Sequence, residues 1–210
     1  MNQPDEVDAY ARADFREVNA RFASHAMELV GQRESLDVLD IGCGPAEATI
    51  TIAVARPGWR VVGVDASEPM LAVARGRAIA AKCGTNIRFE IADAKALAPS
   101  LGTYDLILSN SLLHHLPATA GFWESIRHVA KAGATVFIRD LARPADEATA
   151  RRIVDVNAGG ESQLLQDEFY RSLLAAFTID EVREQIALAR LTSLRVERSS
   201  DRHLDVSGTL

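Results

Sequence analysis

The chain is short of cysteine, of positive charge and of long apolar runs, and each shortage removes a class of explanation. Its 210 residues include two cysteines, Cys43 and Cys83. With no CxxC spacing and no Cys/His ligand pattern, neither a zinc site nor a disulfide framework is indicated, and no metal is expected. The thiols fit a reducing cytoplasm. No uninterrupted apolar stretch approaches the roughly 18 residues that span a bilayer. The opening Met1-Asn2-Gln3-Pro4-Asp5-Glu6 has neither the positive nor the apolar region of a secretory signal, so the expectation is a soluble cytoplasmic protein without membrane insertion. Lys and Arg number 23 against 29 Asp and Glu, a net charge of −6 and a pI near 5.4. A nucleic-acid binder presents a basic face, and the chain as a whole has none. One local exception is Arg139, Arg143, Arg151 and Arg152, which read either as a solvated loop and helix surface or as an anion-holding patch.

What is present is ordinary globular composition, 48% hydrophobic and 25% charged. The length suits one domain over residues 1–210. There is no internal repeat and no low-complexity linker. The N-terminal segment, 1–31, carries a helix over 5–31, with Ala11, Phe15, Val18, Phe22, Ala26 and Leu29 as one apolar stripe at steps of three and four. From 36 to 141 strands alternate with helices. Strands are expected at 36–41, 60–64, 87–91, 104–109 and 134–138, and helices at 45–55, from Ser67 to Gly84, and at 119–131 up to Gly133. Strands spaced this way are parallel, joined by right-handed crossovers, with helices on both faces. Residues 145–176 read as two helices broken at 157–160, an insertion after strand five. Thr178 and Glu181 form a capping box for a further helix, and two late strands, near 192–199 and 202–209, close the chain.

The chemistry concentrates in Val38-Leu39-Asp40-Ile41-Gly42-Cys43-Gly44-Pro45. An apolar strand delivers an acid and then two glycines, whose missing Cβ atoms allow unusual torsions and a close ligand. Asp65 ends the second strand 21 positions after Gly44, where a carboxylate can accept both hydroxyls of a ribose. Asp93 follows the third, placed to accept an adenine amine. Each acid alone reads equally as a helix cap or a loop residue; three at the ends of consecutive strands point to a nucleoside at the carboxyl edge of the sheet. A dinucleotide-binding dehydrogenase would put a third glycine at position 47, which is Glu47. Asp40 beside the turn would also repel a pyrophosphate, whereas a cationic sulfonium with an ammonium group suits that charge.

These residues resemble the class I S-adenosylmethionine-dependent methyltransferases, most of all the small-molecule enzymes of the ubiquinone/menaquinone methyltransferase type. Val38 to Pro45 is similar to their first motif, Val61 to Met70 to the second, Asn86 to Ala94 to the third, and Tyr104 to Leu116 to the fourth. The resemblance spans about residues 8–141. It implies a Rossmann-like, doubly wound α/β sheet of seven strands with the last antiparallel, and S-adenosylmethionine as cofactor. It further implies Asp40, Gly42 and Gly44 around the methionine part, Asp65 on the ribose, Asp93 and Ala94 on the adenine, and Asn110 at the ligand's amino group. Tyr10 would close over the cofactor or simply pack.

Methyl transfer from a sulfonium needs alignment of the nucleophile and, where required, removal of its proton. His115 and His114, just past strand four, are the candidates for a base near neutrality or for substrate contact; a structural role for the pair is the alternative. The fourth motif lacks the Asn/Asp-Pro-Pro-aromatic pattern used for amino groups of bases and glutamine. With the acidic pI, that favours a small-molecule substrate and no nucleic acid. Asp140, Phe169 and Tyr170 are candidate substrate residues, the last two on a helical lid over 145–176, with packing or capping as the alternative for each. Two other uses of such a site stay open: transfer or cyclisation of the cofactor's aminocarboxypropyl arm, and binding without turnover.

Overall fold

The computed structural model describes residues 16–210. Seven strands form one sheet in the order β3-β2-β1-β4-β5-β7-β6. Strands β1 (Asp37–Ile41), β2 (Arg60–Asp65), β3 (Ile87–Ile91), β4 (Tyr104–Asn110) and β5 (Ala130–Leu141) pair in parallel, while β7 (His203–Thr209) runs antiparallel to β5 and to β6 (Arg195–Arg198). The expected doubly wound seven-stranded sheet with its last strand antiparallel is therefore present. The two ends of the strand order grow outward from β1 and β4, so the gap between their outgoing connections falls at the carboxyl ends of those two strands, where open α/β sheets bind ligands.

Both faces of the sheet are covered, and the strands accordingly carry apolar residues on both sides. On one face Val38, Leu106, Leu108 and Phe137 pack under α1 (Arg16–Val30), α2 (Glu47–Ala55) and α3 (Glu68–Ala80). On the other, Leu39, Ile41, Ile107 and Ile138 pack against Phe122 and Trp123 of α4 (Ala120–Val129) and Val182 and Ile186 of α7 (Ile179–Leu188). Between β5 and α7 lies the helical insertion, α5 (Glu147–Ala158) and α6 (Gln163–Ala175), with its own small core of Leu141, Ala150, Ile153, Val154, Leu173 and Ala176.

Most helix ends follow their local chemistry. The Ser67 hydroxyl caps α3, Asp146 caps α5 through the Thr149 N–H at 2.7 Å, and Thr178 and Glu181 close the expected capping box. Four expectations are displaced. The buried face of α1 is Phe22, Ala23, Ala26 and Val30; at 100° per residue it is centred between Ala26 and Val30, which leaves Val18 and Leu29 on its flank, Leu29 being exposed. Ala11 and Phe15 lie outside the described residues. Helix α3 stops at Ala80, with Lys82 and not Gly84 taking the left-handed turn (φ 54°). Gly133 does not end α4: the chain passes from Val129 straight into β5, Ala130 pairs with Tyr104, and Gly133 (φ 79°) absorbs an irregularity inside the long strand. The late strands are shorter than expected, Arg195–Arg198 and His203–Thr209. No helix among the described residues is long and apolar enough to cross a membrane.

Candidate active site

A cleft of about 270 Å³ opens at the carboxyl ends of β1, β2 and β4, near the lower end of the range for small-molecule sites. It is built first by the turn after β1. The N–H groups of Gly42 and Cys43 both donate to the Val64 carbonyl, at 2.8 and 3.0 Å, folding the turn back onto β2. Gly42 sits at φ 73°, and a Cβ there would lie 2.7 Å from the Leu112 side chain. Only glycine meets both conditions. Helix α2 then begins without a side-chain cap, its entry made by Ala46 in the left-handed region.

Three carboxylates face this cleft: Asp40, Glu47 and Asp65. Asp40 is buried and accepts a 2.5 Å hydrogen bond from Thr49 Oγ1. Burial pushes its carboxyl up to about 6, the Thr49 bond opposes the rise, and the Asp65 charge adds to it. Asp65 Oδ2 accepts the Gly44 N–H at 2.9 Å and Oδ1 the Ser67 N–H at 2.8 Å, so one side chain ties the β1 turn to the β2 turn while each oxygen retains a lone pair for a ligand. Cys43 also lines the cleft, and burial together with the Asp40 and Asp65 charges raises its thiol well above the usual range. That makes it an inert wall and not a nucleophile.

From the β4 side come Asn110, Ser111 and His115. Ser111 takes a left-handed conformation (φ 57°), its N–H held by the Arg139 carbonyl at 2.9 Å. His115 stands exposed at the mouth, its ring 4.0 Å from that of His114. Desolvation first, and the neighbouring His114 second, lower its pKa from the ordinary histidine value, so the imidazole is neutral at pH 7.

The structure thus brings Asp40, Gly42, Gly44, Asp65, Asn110 and His115 to one cleft and leaves the other expected residues outside its lining. Asp93 is exposed and paired with Lys95 at 2.7 Å, an interaction that holds its carboxyl below the usual range; Ala94 is buried in the core. His114 and Asp140 form a buried pair at 2.6 Å. Asp140, expected to face the crevice, instead accepts the N–H groups of Leu113 and Leu141. Alternation along β5 puts it on the same side as Val136 and Ile138, beneath the 113–115 turn, where it serves as an anchor. Phe169 packs on the small core of the insertion. The Tyr170 hydroxyl donates to Glu147 at 3.1 Å beneath the Arg151 guanidinium, 4.5 Å from the ring, so both aromatics join α5 to α6. Tyr10 lies outside the described residues. Of the basic cluster, Arg139 makes a two-pronged bond to Asp205 and Arg143 pairs with Glu181, which removes the anion-patch reading for those two.

Sequence reasoning misses Asn19 of α1 and the apolar walls Met70 and Leu112. In the sequence Glu47 registers only as a missing glycine. Nothing local marks Asn19, since its role depends on where α1 docks.

The model of a family described as a methyltransferase domain matches residues 32–188. A trans-aconitate 2-methyltransferase of Deinococcus radiodurans is 33% identical over 117 residues, 54% of this chain and 42% of the relative. A 27-O-demethylrifamycin SV methyltransferase of Amycolatopsis mediterranei is 29% identical over 182 residues, 83% of this chain and 65% of the relative. The chain thus spans from under half to about two thirds of the length of these relatives. Among solved structures, the plantazolicin methyltransferase BpumL in complex with SAH superposes with a TM-score of 0.75 at 16% identity, covering 99% of this chain and 91% of that one, a likeness of fold.

Proposed function

Because the chain belongs to the methyltransferase-domain family, we propose that it binds S-adenosylmethionine in the cleft beyond β1, β2 and β4 and promotes transfer of its methyl group to a small-molecule metabolite. The observation that carries this reading is the trio of carboxylates, Asp40, Glu47 and Asp65, around a glycine turn. Their charge suits a ligand with a sulfonium and an ammonium group and repels one with a pyrophosphate. When bound, the cofactor supplies an electrophilic methyl group. The protein's part is to hold, orient and exclude water. Asp65, already fixed by the Gly44 and Ser67 N–H groups, is placed to accept ribose hydroxyls, while Met70 and Leu112 offer apolar walls. Neutral His115 at the mouth accepts a hydrogen bond or a proton from the substrate's nucleophile, and the Asp140–His114 pair holds the turn that presents it.

The curated relatives are named for small-molecule substrates, and the net charge of −6 supports such a substrate over nucleic acid. The unpaired thiols Cys43 and Cys83 support a cytoplasmic home. The α5–α6 hairpin, continuing from β5, is the candidate lid, with Phe169 and Tyr170 stiffening it, and α1 is the wall that covers the cofactor. The test is calorimetric titration with S-adenosylhomocysteine. Asp65→Ala should weaken binding by roughly 1.5–3 kcal/mol, the range for hydrogen bonds to a charged group; unchanged affinity removes Asp65 from the site.

A further inference from the structure

Asn19, Glu47 and Asn110 all line the cleft, and they are joined in a chain of hydrogen bonds across three elements distant in sequence. Asn110, at the end of β4, donates its Nδ2 to Asn19 Oδ1 at 3.0 Å. Asn19, on α1, donates its own Nδ2 to Glu47 Oε2 at 2.7 Å, on the first turn of α2. The direction of this chain is forced by its chemistry. A glutamate carboxylate accepts and has no proton to give. Asn19 must therefore turn its NH₂ toward Glu47 and its carbonyl toward Asn110. Asn110 must then turn its NH₂ toward Asn19, donating one N–H there, and keep its Oδ1 on the other side. Were position 47 an amide, the chain could run either way, and half of the arrangements would present an NH₂ at Asn110 instead.

We propose that Glu47, acting through Asn19, fixes the amide of Asn110 so that an acceptor and not a donor meets the ammonium group of the bound cofactor. Glu47 and Asn19 are positioning residues. The inference rests on the reading that S-adenosylmethionine occupies this cleft. It also gives α1 a part in ligand recognition: Phe22 stacked on Phe137 at 4.9 Å and the buried Ala23 and Ala26 seat the helix, and Asn19 then carries the polarity of Glu47 to β4. With the amide reversed, an NH₂ would face the ammonium, donor against donor, and a hydrogen bond to a charged group would be lost, which corresponds to roughly tenfold or more in affinity.

The test compares two ligands that share adenosine and sulfur but differ in the amino-acid tail, S-adenosylhomocysteine and 5′-methylthioadenosine, by calorimetry on the full chain, with thermal melting as a check of folding. Glu47→Gln, which leaves about half of the arrangements competent, and Asn19→Ala, which leaves the Asn110 amide unbiased, should each weaken S-adenosylhomocysteine about twofold and leave methylthioadenosine unchanged; Asn19→Ala carries the test if Glu47→Gln does not fold. The double variant Glu47→Gln with Asn19→Asp moves the acceptor-only group to position 19, where it again takes the Asn110 NH₂. It should restore S-adenosylhomocysteine affinity to that of the original protein. Equal weakening of both ligands would mean that the chain merely docks α1. Failure of the double variant to recover would mean that the charge at position 47, and not the polarity, matters. Either result overturns the proposal. If the unaltered protein binds neither ligand, it is the cofactor reading that falls.

Discussion

Asp40 should make the ligand-free protein less stable than it need be. Its carboxyl is 3% exposed and titrates near 6, against an ordinary value of 3.8. A carboxyl raised in the folded state holds a proton that the unfolded chain has released, so stability declines as pH rises from about 3.8 through about 6 and levels off above. The rise from 3.8 to about 6 corresponds to about 3 kcal/mol at pH 8 and about half of that at pH 5, where the folded group is still largely protonated. Asp40→Asn removes the titration and keeps an oxygen for the 2.5 Å bond from Thr49. The variant should gain up to about 3 kcal/mol at pH 8, or roughly 6–12 °C in Tm, and about half as much at pH 5, while losing affinity for S-adenosylhomocysteine. Urea unfolding of both proteins at the two pH values measures this directly. A stability difference that is the same at pH 5 and pH 8, or a variant less stable at pH 8, would refute the reasoning. Such a trade of stability for binding is what a charge kept for a cationic ligand entails.

Two further outcomes are expected. Because the His115 pKa is lowered by desolvation and by His114, the acidic limb of its pH–rate profile should fall below the ordinary histidine range of about 6.5. His115→Asn should remove that limb and slow turnover about 10²-fold with cofactor affinity nearly intact; a limb that survives the substitution excludes His115 as the proton acceptor. If α5 and α6 form a lid, hydrogen exchange over 155–176 should slow when cofactor product and a substrate analogue bind, and Tyr170→Ala should raise the substrate KM far more than the cofactor's. Exchange already as slow as in the sheet, with unaltered substrate kinetics, makes the hairpin purely structural.

The parts of the site written in short stretches of sequence were legible; those made by tertiary docking were not. Val38 to Pro45 and Val61 to Asp65 encode strand, turn and acid within a few residues, and β1, β2 and the cleft follow from them. Glycine commonly ends a helix, whereas the positive φ of Gly133 serves an irregular strand held by β4 and by Leu210. The sequence pattern places Asp140 at the end of a strand, but which face it takes depends on the full length of β5, and its bonds to Leu113 and His114 cross 27 and 26 positions. Asn19 bonds across 28 positions to Glu47 and 91 to Asn110, distances at which no local pattern exists to be read. Strand order alone points to Asp93, which in the structure pairs with its neighbour Lys95.

The most direct test of the central claim is the adenosine by-product formed when the protein and S-adenosylmethionine, labelled in its methyl group, are incubated with a bacterial metabolite extract and followed by mass spectrometry. Methyl transfer predicts S-adenosylhomocysteine, with the label recovered in one small molecule and both signals lost in Asp65→Ala. Methylthioadenosine in its place would show that the aminocarboxypropyl arm is the group consumed, and tight cofactor binding with neither product would contradict an enzymatic role.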